Sequence, residues 1–160
     1  MRTGEWEALV SSEEKRKTYE DVVSLLEKDF AETKDLTARM AQVSALLIKH
    51  FGGFFWAGFY RMVEGELTVG PYQGAHAAPV LPNKRGVCWT CMQRGELVNV
   101  PNVHEFKGHI RVEGPSNSEL SVPLFDEDGT VYGVMHVDAA DFNAFDEMDE
   151  EFLTLISKML

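Results

Sequence analysis

Residues 54–63 read Phe54-Phe55-Trp56-Ala57-Gly58-Phe59-Tyr60-Arg61-Met62-Val63, a run rich in aromatic side chains. Aromatic residues are enriched in strands, so this run predicts a β-strand. Glu64-Gly65 follows as a turn, and residues 66–72 form a second strand that returns antiparallel to the first. Because parallel neighbours need long crossover connections, so short a turn predicts an antiparallel sheet.

Two amphipathic helices precede this hairpin. The first begins at Ser11 or Ser12, and the second runs from about residue 35 to 51. The elements predicted after the hairpin are a short helix, three strands and a terminal helix: residues 86–95, 97–100, 119–125, 130–138 and from about 146. Irregular segments lie between them over residues 73–85 and 101–115. This order predicts an α+β fold, in which one antiparallel sheet of five or six strands carries N-terminal and C-terminal helices on its outside.

The length and charge of the chain limit its domain organisation and its partners. The 160 residues are most simply one structural unit, with an N-terminal arm and helix over residues 1–34 and the main domain over residues 35–160. A formal net charge of −11 argues against nucleic acid and anionic membranes as partners. No apolar run could span a bilayer, and residues 1–17 lack the apolar core of a signal peptide. With only two cysteines, we expect a cytoplasmic protein.

Cys88 and Cys91 are the only cysteines of the sequence, and they fall in the predicted short helix. Thiols at positions i and i+3 of a helix can meet each other or share a metal ion. A zinc site would need two further ligands, and the spacing of His104 and His109 lies just outside the usual range, so we expect no metal and no cofactor. Local sequence leaves open buried structural thiols, which it favours, and a redox pair.

Two aromatic residues and two carboxylates are candidates for a ligand site. Trp56 and Tyr60 lie four apart on a strand and therefore face the same way, either as core or as an aromatic wall. Glu119 begins a strand and Asp138 ends one; beside an aromatic wall, they would suit an ammonium group, although such carboxylates are commonly solvated. His136 shares the face of Asp138, and we favour a core histidine with satisfied hydrogen bonds.

A series of short motifs, taken in order, resembles the free methionine-(R)-sulfoxide reductases, which are single GAF-domain enzymes. The motifs are Trp56-Ala57-Gly58-Phe59-Tyr60, Gly70-Pro71-Tyr72-Gln73-Gly74, Gly86-Val87-Cys88, Val103-His104, Gly108-His109-Ile110, Ser116-Asn117-Ser118-Glu119, Val122-Pro123-Leu124 and Gly133-Val134. The resemblance covers roughly residues 35–160. It implies a GAF fold, often dimeric, and reduction of free methionine-(R)-sulfoxide by cysteine thiols with electrons from thioredoxin. A homodimer is therefore one expected assembly.

The resemblance also implies roles for individual residues. Trp56 and Tyr60 would line the pocket around the sulfoxide end of the substrate, and Glu119 and Asp138 would hold its polar groups. The backbone of three further residues would face the substrate carboxylate: His109, Ile110 and Arg111. Cys88 corresponds to one of three cysteines characteristic of the family.

Several positions depart from the family pattern. Ala78 stands where a loop cysteine is expected, and Val112 stands where the attacking thiol or its disulfide partner is expected. His136 replaces a carboxylate, and Trp89 replaces a glycine near the pocket. Cys91 is a thiol that the pattern does not include.

Three hypotheses follow. In the first, a reductase with relocated thiols, Cys88 attacks the sulfoxide and Cys91 condenses with the resulting sulfenic acid. In the second, a GAF ligand-binding or sensing domain keeps the pocket without catalysis, because Val112 is not a thiol. In the third, a structural or dimerisation module has a pocket filled by Trp89. We favour the first narrowly over the second, because Cys88 and the pocket residues persist.

Overall fold

A five-stranded antiparallel sheet forms the centre of the computed structural model, which describes residues 11–111 and 114–160. The helices are α1 (Ser12–Glu32), α2 (Leu36–His50), α3 (Gly86–Arg94) and α4 (Glu147–Met159), and a short 3-10 helix spans Val103–Glu105. The strands are β1 (Phe54–Val63), β2 (Glu66–Gly74), β3 (Val98–Val100), β4 (Ser118–Phe125) and β5 (Val131–Ala139). The predicted α+β class is confirmed. The predicted arm over residues 1–10 and the departure at Val112 lie outside the described residues.

The register of the sheet brings chemistry-bearing residues of three strands together. The strand order is β2-β1-β5-β4-β3, so β5 is central and β1 and β4 lie on either side of it. Asp138 pairs with Trp56 on one side and with Glu119 on the other, and His136 pairs with Ser121. Side chains directly opposite each other across antiparallel strands share a face of the sheet. One face therefore carries all five side chains near the same end.

The two faces of the sheet bury two separate hydrophobic clusters. The first cluster packs α1, α2 and α4 against residues such as Phe59 and Val137. The second cluster lies on the opposite face and joins α3 to Trp56, Tyr60 and Val134. Side chains alternate between faces along a strand, which is why neighbours such as Phe59 and Tyr60 enter different clusters. The chemistry-bearing face is the α3 face. Among the described residues, no helix is long and apolar enough to cross a membrane.

Buried polar contacts join the first helix to the last. Ser11 caps α1, and Asp146 caps α4 by accepting hydrogen bonds from backbone N–H groups of its first turn. Asp149, fully buried on α4, accepts hydrogen bonds from the Lys15 ammonium and the Tyr19 hydroxyl of α1, each at 2.6 Å. A buried carboxylate needs such partners, so this contact fixes how α1 and α4 pack.

Helix α3 begins and ends at glycines with positive φ. Gly86 has φ +88°, and a Cβ there would lie 2.9 Å from the Ile110 side chain, so a larger residue would have to displace it. Gly95, with φ +62°, closes the helix, and its N–H donates to the Cys91 carbonyl. Cys88 is the third residue of α3, where unpaired N–H groups and the positive end of the helix dipole favour a thiolate.

The loop over residues 75–85 crosses from the end of β2 to the start of α3. Two backbone hydrogen bonds of 2.9 Å tie it to β2, from the Val69 N–H to the Pro79 carbonyl and from the Leu81 N–H to the Leu67 carbonyl. The loop was predicted as irregular, and it contains a single β-bridge, at Val80. These contacts hold the loop over the α3 face of the sheet.

Candidate functional site

A narrow cavity opens on the α3 face, enclosed by the sheet, α3 and the loop over residues 75–85. The empty space within it is about 500 Å³, a volume that includes the solvent-filled mouth of the cavity. Of the ten residues predicted for the site, seven line this cavity: Trp56, Tyr60, Cys88, Ile110, Glu119, His136 and Asp138. The sheet register and the glycine-initiated start of α3 thus place the candidate thiol and the candidate carboxylates around one space.

Glu119, His136 and Asp138 form a buried cluster at the floor of the cavity. The His136 Nε2 lies 3.0 Å from Asp138 Oδ1 and 3.8 Å from Glu119 Oε2. Burial raises the pKa of Asp138 more than the neighbouring His136 lowers it. One polar atom from each residue lies within 4.8 Å of the others, so the two carboxylates are close enough to share an ammonium group. This donor set suits a cation.

The two oxygens of Glu119 face different neighbours. Oε2 faces His136, whereas Oε1 accepts hydrogen bonds from His109 Nε2 at 2.7 Å and from the Ser116 hydroxyl at 3.1 Å. Burial alone would raise the pKa of Glu119, but the His109 hydrogen bond and the charge of His136 outweigh it and lower that pKa. His109 therefore reaches the site through its side chain, whereas the sequence led us to expect its backbone.

Cys88 is joined to this cluster through Ser121. The Ser121 hydroxyl lies 3.7 Å from Cys88 Sγ, as a hydrogen-bond donor to it, and 2.6 Å from His136 Nδ1. Burial opposes a charged imidazole, yet the negative charges of Cys88 and Asp138 raise the pKa of His136 well above its ordinary value. His136 is thus a satisfied core histidine, as we favoured, and also part of the cavity wall.

Cys91 has a different environment from Cys88. Its side chain is fully buried, and it is not one of the residues around the cavity. Burial, with a smaller effect from Cys88, raises the pKa of the Cys91 thiol. The described structure contains no disulfide between the two cysteines. Because the thiolate is the reactive form, Cys91 is the less reactive thiol of the pair.

The aromatic wall also anchors the loop above it. Trp56 stacks between Tyr60, with ring centroids 6.0 Å apart, and Tyr72, at 5.2 Å. The Trp56 Nε1 donates to the Ala75 carbonyl and the Tyr60 hydroxyl to the Ala78 carbonyl, each at 3.2 Å. The polar atoms of both side chains therefore hold the loop, and both residues also line the cavity.

Trp89 does not fill the cavity. It is buried within the second hydrophobic cluster but is not one of the residues that line the cavity. Its Nε1 is buried without a hydrogen-bond partner among the described residues. This placement argues against the hypothesis of a filled pocket.

Arg111 and Ala78 lie outside the cavity wall. Arg111 is exposed and, with His109, lines a neighbouring surface groove. Ala78, where the family pattern has a cysteine, is exposed on the loop. The predicted contact of Arg111 with a substrate carboxylate stays a prediction.

Sequence reasoning missed several residues of the site. Ser121 follows Glu119 by two positions on β4, so strand alternation is a signal that could have identified it. Arg85 and His76 line the cavity from the loop, and Ser116, in the segment before β4, donates a hydrogen bond to Glu119. These three lie in irregular backbone, where no period indicates which way a side chain faces.

Comparison with known proteins places the chain in a family. The sequence profile of the GAF domain matches residues 33–158. The chain belongs to the GAF domain family. GAF domain-containing protein A of Dictyostelium discoideum is 38% identical over 152 residues, which cover 94% of this chain and 95% of that protein.

This GAF domain is also related to free methionine-R-sulfoxide reductases. The enzyme of Escherichia coli is 38% identical over 116 residues, 72% of this chain and 70% of that protein. The structure of the reductase of Neisseria meningitidis in complex with its substrate superposes with a TM-score of 0.86 at 34% identity. That superposition covers 94% of this chain and 90% of the reductase. The relationship in sequence and fold is therefore close over most of the domain.

Proposed function

We propose that this GAF domain reduces free methionine-(R)-sulfoxide, with Cys88 as the nucleophile and thioredoxin as the reductant. The observation that carries the proposal is that Cys88 lines the same cavity as Glu119, Asp138 and the aromatic wall. A nucleophile, an acidic cluster for an amino group and an apolar wall are the three things that such a substrate requires. The relationship to the reductases supports the same chemistry.

The cavity supports binding of a zwitterionic amino acid by its ammonium end. Glu119 and Asp138 are 3% and 2% exposed, so their charges are little screened by water. An ammonium group would meet both carboxylates there, and Trp56 would cover the apolar part of the side chain. The sulfoxide end of the substrate would then share the cavity with Cys88, which lines the same space.

The reaction transfers the sulfoxide oxygen to a cysteine. The Cys88 thiolate attacks the sulfur of the substrate to form an S–S bond, and the sulfoxide oxygen takes up one proton from water. The S–O and S–S bonds then break as the hydroxyl passes to the Cys88 sulfur. The products are methionine, reduced by two electrons, and a Cys88 sulfenic acid, oxidised by two. A second thiol then condenses with the sulfenic acid, water leaves, and a disulfide forms that a dithiol reduces.

The second thiol is either Cys91 or a cysteine of the external reductant. Cys91 stays the candidate within the chain, as the sequence predicts. Its complete burial and raised pKa favour direct attack on the Cys88 sulfenic acid by the external dithiol. The variant Cys91→Ala separates these routes, because only the first route loses steady-state turnover.

A coupled assay tests the proposal. Purified protein, free methionine-(R)-sulfoxide, thioredoxin and thioredoxin reductase are mixed, and oxidation of NADPH is followed. We expect turnover with the R epimer that disappears in Cys88→Ser. The comparison variant is Cys91→Ala, the other cysteine of the same helix, which keeps at least a single first turnover on either route. Failure of the native protein to turn over would contradict the proposal.

The second candidate function is a ligand-binding or sensing domain without catalysis. The sequence observation that favours it is Val112, which stands where the family pattern has a thiol. On this alternative, calorimetry of the native protein gives saturable binding of methionine sulfoxide while the coupled assay stays silent. Val112→Cys would then add turnover to a protein that only binds.

A further inference from the structure

Four buried side chains form one hydrogen-bonded chain across three elements. The Asp138 Oδ1 lies 3.0 Å from His136 Nε2, the His136 Nδ1 lies 2.6 Å from Ser121 Oγ, and Ser121 Oγ lies 3.7 Å from Cys88 Sγ. Their exposures are 2%, 5%, 0% and 5% in that order. This series of hydrogen bonds thus connects β5 through β4 to α3, with little access for water.

We propose that Ser121, His136 and Asp138 form a proton relay that turns Cys88 into a thiolate. In it, Ser121 links the thiol to the imidazole, and Asp138 orients that imidazole. The inference rests on the proposed function only in taking Cys88 as the nucleophile, since activation of the thiol can be measured without any substrate. Ser121 and Asp138 act as positioning residues for the Cys88 sulfur.

The geometry defines where each proton goes. The Asp138 carboxylate accepts a hydrogen bond from the His136 Nε2–H group. The neutral imidazole therefore presents Nδ1 as an acceptor to the Ser121 hydroxyl. When the S–H bond of Cys88 breaks, its proton goes to Ser121 Oγ, and the original hydroxyl proton of Ser121 goes to Nδ1. The result is a thiolate, an unchanged hydroxyl and an imidazolium, with no change in oxidation state.

The charges around the chain stabilise this charge-separated state. After transfer, His136 Nδ1–H donates to Ser121 Oγ across 2.6 Å, and the Ser121 hydroxyl donates to the Cys88 sulfur across 3.7 Å. The imidazolium has Asp138 beside Nε2 and Glu119 Oε2 at 3.8 Å from the same atom. The early position of Cys88 in α3 favours the thiolate as well.

Other titratable groups lie near these four hydrogen-bonded side chains and come from each neighbouring element. They are Tyr60 of β1, Glu119 of β4, Cys91 of α3, and His76 and Arg85 of the loop. Burial raises the pKa of both Tyr60 and Cys91, so they stay neutral near pH 7. The carboxylate that the family pattern has at position 136 would have no N–H for Asp138 or Ser121. The relay is therefore a consequence of the histidine that this chain carries.

The test is a titration of the thiolate by its absorbance at 240 nm. The protein carries Cys91→Ala, and the signal of Cys88→Ser in the same background is subtracted. We expect the midpoint of Cys88 to rise by about one pH unit or more in His136→Asn and in Ser121→Ala. Ser121→Thr keeps the hydroxyl and restores the lower midpoint. Ser118→Ala is the matched control, because Ser118 is an equally buried serine of β4 that faces the other cluster.

A second measurement does not depend on whether the His136 and Ser121 variants fold. Nuclear magnetic resonance follows the imidazole of His136 with pH in the native protein and in Cys88→Ser. We expect His136 to lose its proton at lower pH in Cys88→Ser, because the thiolate that stabilises the imidazolium is gone.

Equal Cys88 midpoints in native protein, His136→Asn and Ser121→Ala would overturn the relay, and so would an unchanged His136 titration. Turnover in the coupled assay could persist in that event, and the proposed function would stand without the relay. A low Cys88 midpoint in a native protein that shows no turnover would leave the relay in place and remove the proposed function.

Discussion

At the scale of single residues, the most important feature is that the two carboxylate oxygens of Glu119 contact two different sets of partners. One oxygen is held by His109 and Ser116, and the other is turned toward His136. Such hydrogen bonds orient a buried carboxylate and stabilise its charge. Glu119 is therefore both a candidate ligand group and a contributor to stability.

Replacement of Glu119 tests this second role through its pH dependence. The pKa of Glu119 is lowered in the folded protein, so its ionised form stabilises the fold above its unfolded pKa, and this contribution is lost as pH falls through the folded value. We expect Glu119→Gln to cost about 1–3 kcal/mol at pH 7 and less below about pH 4. Urea unfolding at both pH values measures the difference.

The control for that comparison is Glu127→Gln, an exposed carboxylate in the turn between β4 and β5. We expect little effect of this change on the free energy of unfolding at either pH. A cost of Glu119→Gln that stayed constant between the two pH values would contradict the assigned role.

At the scale of elements, the hairpin β1–β2 supports the loop that forms the roof of the cavity. Trp56 and Tyr60 each donate one hydrogen bond from β1 to a loop carbonyl, and β2 adds two backbone bonds. A loop without regular structure of its own depends on such contacts for its position. The position of the loop therefore depends on the strand face beneath it.

Tyr60→Phe removes one of these anchors and keeps the aromatic ring. We expect a loss of about 1 kcal/mol of stability and faster amide hydrogen exchange in residues 75–85, most clearly at the Leu81 N–H. Mass spectrometry of hydrogen exchange measures it.

Tyr72→Phe is the control, because Tyr72 also stacks on Trp56 and its hydroxyl has no hydrogen bond to the loop in the described structure. Equal protection of the loop in the two variants would show that the Tyr60 hydroxyl does not hold it.

The elements were predictable from the sequence to the extent that they are periodic or capped. The aromatic run of β1, the short turn at Glu64-Gly65 and the Ser11 cap all indicated correct elements, because each is a local signal. The side-chain role of His109 was not predictable, since it depends on how an irregular segment folds back onto Glu119. The anchoring of the loop by Tyr60 is a tertiary contact with no local signal.

At the scale of the whole molecule, the contact of α1 with α4 joins the N-terminal and C-terminal parts of the fold. Asp149 is fully buried and depends on Lys15 and Tyr19, which lie more than a hundred residues away in the chain. Helix α1 also packs into the first hydrophobic cluster together with α2 and α4. The predicted boundary at residue 34 stays a prediction.

Lys15→Met tests how much this contact contributes. We expect a loss of about 3–5 kcal/mol, because a buried carboxylate loses its charged partner. Lys17→Met, two residues away, removes an exposed pair with Asp21 and is expected to cost no more than about 0.5 kcal/mol. Urea unfolding monitored by circular dichroism compares them. Equal losses would show that the buried ion pair contributes no more to the free energy of unfolding than the exposed one.

The separation of the two hydrophobic clusters by the sheet has a consequence for how this protein can change over evolutionary time. His136 lines the cavity and Trp89 packs in the second hydrophobic cluster, so both lie on the opposite side of the sheet from α1, α2 and α4. Effects of substitutions that are far apart and share no partners are close to additive. The cavity can therefore acquire or lose reactive groups while the helical side preserves the stability of the fold.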